Sequence, residues 1–170
     1  MLDLFGSVRK EKSMAVAKDF DELDKRIIEM MCSSSQGSYR QLAKQMGVHP
    51  TTLIQRIKNL EARGVIKGYR AKVDYVAMGY DYNGLVQIYT DDIESVENAL
   101  VDIPEVAAVY DVTGEADVVV YLCCFDREQF SAAVKKINTL PGVVKTNTSV
   151  ILNVIKPEGD FIPVMTGRSQ

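Results

Sequence analysis

Helix start and stop signals follow one another so closely in residues 38–64 that they allow only short helices joined by a tight turn. Ser38, with Gln41 three residues later, has the form of a capping box, which opens a helix. Gly47 lacks a Cβ and suits the left-handed cap that ends such a helix, here after about eight residues. Pro50 suits the first turn of the next helix, where its missing N–H costs nothing. The pattern therefore predicts two short helices and a turn of about four residues between them.

The second of these helices, predicted over 51–63, has an apolar side and a polar side. Leu53, Ile57 and Leu60 recur at helical spacing, so we expect them to pack inward. Another series at helical spacing is expected to face outward; it consists of Thr52, Arg56, Asn59 and Arg63. A further helix, predicted over about 21–32, precedes both. One side of the helix over 51–63 is thus expected to reach a partner.

Positive charge is concentrated in residues 39–73, which contain eight Lys or Arg and a single acid, Glu61, although the whole chain has a net charge of -3. The residues up to and including Asp74 contain 14 Lys or Arg and 9 Asp or Glu, net +5, whereas the rest contain 6 and 14, net -8. A solvated helix surface normally mixes the two signs, so this segment is expected to face a polyanion. The opposite charges of the two parts predict two domains with different roles.

Two short helices joined by a tight turn, with a basic outward side on the second, are typical of the helix-turn-helix that places its second helix in the DNA major groove. Val65–Val73 alternates apolar and basic residues, which predicts a short hairpin or wing after it. The first turns of a recognition helix reach base edges, whereas cations farther along suit phosphates. The predicted base-edge residues are His49, Thr51, Thr52, Gln55 and Arg56, with Gln55 and Arg56 as the main base readers. The predicted phosphate contacts are Lys58, Arg63, Lys67, Arg70 and Lys72, although for any single cation a merely solvated role stays open.

The second part of the chain shows the order strand, helix, strand, strand, helix, strand. The predicted elements are strands over 85–89, 107–112, 117–123 and 143–155 and helices over 92–102 and from Asp126 to about 140. This βαββαβ order is the ferredoxin-like split arrangement, an α+β fold in which two helices cover one sheet face and leave the other open. The open face is expected to meet a partner.

These signals divide the chain into an N-terminal arm (1–19), a DNA-binding domain (20–73), a linker (74–82), a ferredoxin-like domain (83–156) and a C-terminal tail (157–170). No apolar run approaches the roughly 20 residues needed to cross a bilayer, and no secretory signal is evident. We therefore expect a cytoplasmic protein with no membrane association. Three cysteines and one histidine support neither a disulfide framework nor a zinc site. We expect no metal and no cofactor.

The chain resembles the leucine-responsive regulator/AsnC (Lrp/AsnC, feast/famine) family of transcription regulators over about residues 20–156. The residues that carry the resemblance are Phe20-Asp21-x-x-Asp24-x-x-Ile27-Ile28, Leu42-Ala43 with Gly47, Arg56-Ile57-x-x-Leu60-Glu61-x-x-Gly64-Val65-Ile66-x-Gly68-Tyr69, Gly114-x-x-Asp117 and Leu140-Pro141-Gly142-Val143. The resemblance implies a winged helix-turn-helix joined to a RAM-type effector and oligomerisation domain. It also implies homodimers that pair through their open sheet faces and assemble into octameric rings.

In this family a small molecule, usually an amino acid, binds where dimers meet. By position, the resemblance implies an effector site formed by Tyr110, Gly114, Asp117, Arg127, Ser149, Val150 and Ile151. Asp117 would anchor an amino group, although a simple turn would also explain Gly114 and Asp117. Two departures from the family pattern are His49, where many members have a serine cap, and Ser149, where bulkier side chains occur.

The function expected from these features is a sequence-specific DNA-binding transcription regulator whose oligomeric state or DNA affinity responds to an amino acid. One alternative is an architectural DNA-binding ring without an effector. Another is an enzyme resembling the haem-precursor (tetrapyrrole) decarboxylases of this fold. That chemistry would require acid-base or substrate-clamping groups in the second domain, yet residues 75–170 contain no histidine and few cations. We therefore do not expect an enzyme.

Overall fold

The computed structural model describes residues 20–33, 37–157 and 161–163 of the chain. The chain divides into two compact units: the first includes the residues up to Ala71, and the second is Lys72–Lys156. The predicted N-terminal arm and most of the predicted C-terminal tail lie outside the described residues. Over the part of the chain that the structure describes, no helix is both long enough and apolar enough to cross a membrane.

The first unit contains three helices in its described residues: α1 (Glu22–Ser33), α2 (Tyr39–Met46) and α3 (Pro50–Ala62). The three predicted helices are therefore confirmed. Ser38 begins α2 with a full capping box, in which its hydroxyl accepts from the Gln41 N–H and Gln41 Oε1 accepts from the Ser38 N–H. Gly47 ends α2 in the left-handed conformation, with φ 68°. The apolar sides of the helices meet in one core, which includes Ile27, Ile28, Leu42, Ala43, Met46, Leu53, Ile57 and Leu60.

Residues 65–73, predicted as a short hairpin or wing, follow α3 and contain no strand, so the hairpin form is absent from this segment. A strand needs a partner, and an isolated pair of strands is only marginally stable in water. Val65 and Ile66 are half-buried against the helical core, whereas residues 67–73 are exposed. We call residues 65–73 the wing segment.

The second unit contains, in order, β1 (Tyr82–Thr90), α4 (Ile93–Leu100), β2 (Val106–Asp111), β3 (Val118–Cys124), α5 (Arg127–Asn138) and β4 (Val143–Val150). The strands lie in the order β2-β3-β1-β4, and each neighbouring pair is antiparallel. This is the predicted βαββαβ, ferredoxin-like arrangement, and the α+β class is confirmed. The core of this unit includes Val86, Ile88, Val118 and Val120 from the sheet and Val96, Leu100, Phe130 and Ile137 from the helices.

The last strand is shorter than the predicted 143–155. Beyond β4, the Ile151 N–H donates one more hydrogen bond to the Asn83 carbonyl, at 2.8 Å. Since β1 begins at Tyr82, the chain has no partner strand after this point. Ile155 is accordingly 93% exposed. The end of β4 is thus set by its neighbour in the sheet and not by its own apolar pattern.

Candidate nucleic-acid interface and ligand site

The exposed surface of α3 is formed by polar side chains opposite its apolar side. Leu53, Ile57 and Leu60 are buried in the core of the first unit. Gln55 lies on the opposite side of the helix, because successive residues turn by about 100° around the axis. We call the exposed polar residues on this side the outer face of α3; they are Thr51, Thr52, Gln55, Lys58 and Asn59. The outer face carries hydroxyl, amide and ammonium groups and no acid.

His49 caps the N-terminus of α3, and Pro50 occupies the first helical position as predicted. The His49 Nδ1 atom accepts from the Thr51 N–H at 3.4 Å and lies 2.6 Å from Thr51 Oγ1. When Nδ1 is an acceptor, the proton of the neutral ring is on Nε2. The exposed ring thus keeps a donor at Nε2 while its other nitrogen serves the helix cap. In the described ranges, no group of three or more His, Cys, Asp or Glu side chains is arranged to hold a metal ion.

Arg56, a predicted base reader, does not belong to the outer face, because its guanidinium group is bound within its own unit. Its Nη1 atom lies 2.5 Å from Asp21 Oδ2 and 3.1 Å from Asp24 Oδ1, at the start of α1. The physical reason is its place on the helix: Arg56 lies about 100° from Gln55 around the axis, on the flank next to α1. Its guanidinium group therefore binds two carboxylates of its own unit.

The predicted phosphate contacts fall into two sets. Arg63, at the C-terminus of α3, is half-buried, and its guanidinium carbon lies 4.8 Å from the centre of the Phe20 ring. The electron-rich ring face attracts the cation and holds Arg63 on this flank. The other predicted contacts are exposed: Lys58, Lys67, Arg70 and Lys72. Arg40 and Lys44, on α2, are exposed as well.

Glu61, the single acid of the basic stretch, holds the wing segment, a role that the sequence did not reveal. The Tyr69 hydroxyl donates to Glu61 Oε1 at 2.6 Å. Partial burial of the hydroxyl, and next the bond with Glu61, raise the pKa of Tyr69 well above its usual range. The available signal was the isolation of Glu61 among cations.

In the second unit, Asp117 joins the turn between β2 and β3 to the end of β1. Its Oδ2 atom accepts the Thr90 N–H at 2.9 Å, and its own N–H donates to the Ile88 carbonyl at 3.0 Å. The Thr90 hydroxyl donates to the Gly142 carbonyl at 2.6 Å. The Asp117 turn and the Leu140–Val143 motif thus meet at one end of the sheet. Thr90, which connects them, was missed because its two partners lie 27 and 52 residues away in the sequence.

Tyr110 and Gly114 lie at the same end of the sheet as Asp117. Gly114 is exposed in the connection between β2 and β3, and its φ of 144° favours glycine. Val109 packs against the core, so Tyr110 faces the side of the sheet without helices, where it is 43% exposed. We call Tyr110, Gly114 and Asp117 the Asp117 group.

The other predicted ligand residues lie toward the opposite end of the sheet. Ser149 pairs with Leu85, which pairs with Tyr121, four residues beyond Asp117. Arg127 is exposed at the start of α5, after β3, whose seven residues span about 20 Å. We call the predicted ligand residues at this end the far group; they are Arg127, Ser149, Val150 and Ile151. Within one chain the Asp117 group and the far group are too far apart to contact one amino acid together.

Two family models match the chain, one over each unit. A winged helix-turn-helix DNA-binding model matches residues 20–67, and the Lrp/AsnC ligand binding domain matches residues 85–161. An uncharacterized HTH-type transcriptional regulator of Pyrococcus abyssi is 40% identical over 140 residues, which cover 81% of this chain and 95% of that protein. This chain belongs to the Lrp/AsnC family of transcription regulators. As a member of the Lrp/AsnC family, it combines a helix-turn-helix for DNA with a domain for a small-molecule effector, as its sequence predicts.

Solved structures of Lrp/AsnC regulators share the fold. E. coli AsnC matches with a TM-score of 0.73 at 26% identity, covering 82% of this chain and 96% of that one. A feast or famine regulatory protein from M. tuberculosis, complexed with L-methionine, matches with a TM-score of 0.77 at 25% identity, covering 85% and 100%. These relatives are transcription regulators, so the prediction that this Lrp/AsnC protein is not an enzyme is confirmed.

Proposed function

We propose that this Lrp/AsnC regulator binds a specific DNA operator by placing the outer face of α3 in the major groove. The observation that carries the proposal is the exposure of an acid-free polar face on a helix whose opposite side is locked in the core. The groove admits one helix, and amide and hydroxyl groups can bind base edges there. The exposed cations of the same unit supply attraction to phosphates.

The side chains of this interface divide into two roles. The proposed base-edge residues are His49 through Nε2, Thr51, Thr52 and Gln55. The proposed phosphate contacts are Lys58, Lys67, Arg70 and Lys72. Gln55 is the main base reader because a carboxamide can form a bidentate pair with adenine. Arg56 and Arg63 belong to neither set, since their guanidinium groups are engaged within the unit.

In vitro selection of bound duplexes, followed by fluorescence anisotropy at two salt concentrations, tests the DNA proposal. A two-fold dimer should select a pseudo-palindromic site, because each subunit contacts one half-site. Binding to this operator should be at least about a thousandfold tighter than binding to a scrambled duplex. The logarithm of the binding constant should fall with the logarithm of salt by about 0.9 per phosphate neutralised. Equal affinity for operator and scrambled duplex would contradict specific recognition and favour the architectural alternative.

The effector of the second unit is proposed to be an amino acid held between subunits. Asp117 can offer its second carboxylate oxygen to an ammonium group while Oδ2 stays on Thr90. The methionine complex of the M. tuberculosis relative supports this class of ligand. Contacts from both the Asp117 group and the far group require two subunits, because the groups lie at opposite ends of the sheet. One subunit would supply Tyr110, Gly114 and Asp117, and another would supply Arg127, Ser149, Val150 and Ile151.

Calorimetry against the twenty amino acids tests the effector proposal. We expect heat from one or a few of them, and we expect the active amino acid to change operator affinity about 5- to 150-fold. Heat from none of them would favour an architectural ring without an effector.

The sharing of the ligand between subunits has its own test. Subunits with Asp117→Asn and subunits with Arg127→Gln should each bind the amino acid poorly as pure oligomers. Co-assembly in equal amounts should restore about a quarter of the sites, those in which both intact groups meet. No recovery in the mixture would contradict a shared site.

The sheet face without helices is proposed to pair with the same face of a second subunit. Leu85 and Tyr110 lie on this face and are 38% and 43% exposed, a degree of exposure that a partner would reduce. We further propose that dimers assemble into octamers and that the protein acts in the cytoplasm, with the DNA. Light scattering should give the mass of two or eight chains, and a monomer at all concentrations would contradict the assembly.

A further inference from the structure

Two acids at the start of α1 bind the same guanidinium group on α3. Asp21 caps α1, since its Oδ1 accepts the Asp24 N–H at 2.9 Å, and its Oδ2 accepts from Arg56 Nη1 at 2.5 Å. Asp24 Oδ1 accepts from the same Arg56 atom at 3.1 Å. We infer that Arg56 is a positioning residue whose bonds to Asp21 and Asp24 set the rotation of α3 and so decide which side chains reach the DNA. The inference rests on the proposed binding of DNA by α3.

Burial makes this cluster more than a surface ion pair. The Asp24 side chain is only 8% exposed and that of Arg56 is 37% exposed. A buried carboxylate without a partner is costly, so Asp24 requires a cation at this place. The bond with Asp21 raises the pKa of Arg56. The Asp24 N–H first, and then Arg56 against partial burial, lower the pKa of Asp21, so the charged forms of both partners are favoured.

The start of α1 also holds the other helix of the DNA-binding motif. Arg26 donates to the carbonyl of Met46, the last residue of α2, at 3.3 Å. The first turns of α1 therefore bind α2 through Arg26 and α3 through Asp24. By contrast, the nearby ion pair between Glu22 and Lys25, at 2.6 Å, joins residues of α1 only.

The rotation of α3 about its axis decides which of its side chains face the DNA. A helix presents a new side chain about every 100°, so a partial rotation would displace Gln55 from the centre of the outer face. Packing of Leu53, Ile57 and Leu60 decides which side of α3 faces the core but, because it is non-directional, leaves a smaller freedom of rotation about the helix axis. Charged hydrogen bonds have a preferred geometry and can remove that freedom. Loss of the Arg56 bonds should therefore reduce sequence selectivity more than general attraction to DNA.

Operator and scrambled-duplex affinities of full-length Asp24→Asn, Arg56→Gln and the double variant test the inference. Each single variant should lower the ratio of operator to scrambled affinity about tenfold. The double variant should lower this ratio no further than the more affected single variant does, because the two single variants and the double variant all remove the same interaction. The salt slope of Arg56→Gln should equal that of the wild type, since Arg56 neutralises no phosphate. Asp21→Asn should reduce the ratio of operator to scrambled affinity less than the other single variants do. It should also stay folded, because Asn caps a helix as well as Asp does.

If Arg56 contacted DNA directly, Asp24→Asn would change operator affinity in the opposite direction. The released guanidinium group would then keep or raise operator affinity, and Arg56→Gln would lower the salt slope by about 0.9 per subunit. Either result overturns the inference. An unchanged selectivity ratio in variants with a lower unfolding temperature also overturns it, since the cluster would then be purely structural.

Glu22→Gln is the matched control for Asp24→Asn, because it removes an acid from the same turn of α1 and should leave the selectivity ratio unchanged. The wild-type titration keeps the two proposals apart. A wild type without selectivity means that the proposed function has failed. A selective wild type with equally selective variants refutes the positioning role alone.

Discussion

The two units present their candidate residues in different ways. In the first unit the proposed base-edge residues lie within 49–55, and helix periodicity places them on one continuous surface. In the second unit the Asp117 group and the far group lie at opposite ends of a sheet whose β3 spans about 20 Å. A helix can offer a whole recognition surface by itself, whereas this sheet offers two parts that another subunit must complete. DNA recognition should therefore depend on rigidity within one unit, and effector recognition on assembly.

Leu53→Ala should have the largest effect, because it should abolish the DNA binding of the first unit and leave the amino-acid binding of the second. The Leu53 side chain is 1% exposed in the core of the first unit, so its truncation should cost that unit about 2–5 kcal/mol of unfolding free energy. Urea unfolding, operator titration and calorimetry on the same sample measure the outcome. Operator binding should be lost while amino-acid binding persists. Thr52→Ala, at the exposed neighbouring position, is the stability control, and joint loss of both activities would contradict independent units.

Asp117→Asn should weaken amino-acid binding about 10- to 150-fold, because a hydrogen bond to a charged group contributes about 1.5–3 kcal/mol. The amide oxygen can still accept the Thr90 N–H, so the end of the sheet should keep its structure. Calorimetry measures the loss. Asp111→Asn, an exposed acid at the end of β2, is the matched control. Equal losses in both variants would show a general charge effect and would remove Asp117 as the anchor.

Lys58→Gln should lower the salt slope of operator binding by about 0.9 per subunit, with a moderate loss of affinity. Lys58 is exposed on the outer face of α3, where it can reach a phosphate. Anisotropy titrations over a range of salt measure the slope. Lys135→Gln makes the same charge change on the exposed side of α5 and should leave the slope unchanged. A slope that both variants lower equally would indicate a nonspecific effect of net charge.

The smallest expected effect is the acid dependence of Asp21. Its pKa is lowered in the folded protein from the ordinary 3.8, chiefly by the Asp24 N–H. Its contribution to stability is therefore present above pH 3.8 and lost as the pH falls through the lower, folded value. The stability difference between the wild type and Asp21→Ala, measured by urea unfolding, should shrink below pH 3.8. A difference that is independent of pH would show that the charge of Asp21 does not contribute.

The local features of both units could be predicted from the sequence because their causes lie within a few residues. The capping box of Ser38 and Gln41, the left-handed Gly47 and the helix-starting Pro50 each depend on near neighbours. The ferredoxin-like order likewise followed from periodicity and turn residues. The family resemblance then supplied the positions of the effector residues.

The features that could not be predicted depend on distant partners. Periodicity placed Arg56 on a polar side of α3, but only the fold shows that this side faces Asp21, 35 residues earlier. The wing segment had the alternation of a strand but no partner strand, and β4 ended where its antiparallel partner β1 begins. The distance between Asp117 and Arg127 also follows from the sheet and not from their motifs. Charge and pattern identify candidates, whereas packing decides which of them reach outward.

The operator selectivity of Gln55→Ala tests most directly whether the outer face of α3 binds base edges. Gln55 is exposed, so the variant should unfold like the wild type. The ratio of operator to scrambled-duplex affinity should fall about 5- to 150-fold, the cost of one lost bidentate base contact. Asn98→Ala, an exposed amide on α4, should leave the ratio unchanged. An unchanged ratio for Gln55→Ala as well would contradict the account, because the centre of this face would then not meet the bases.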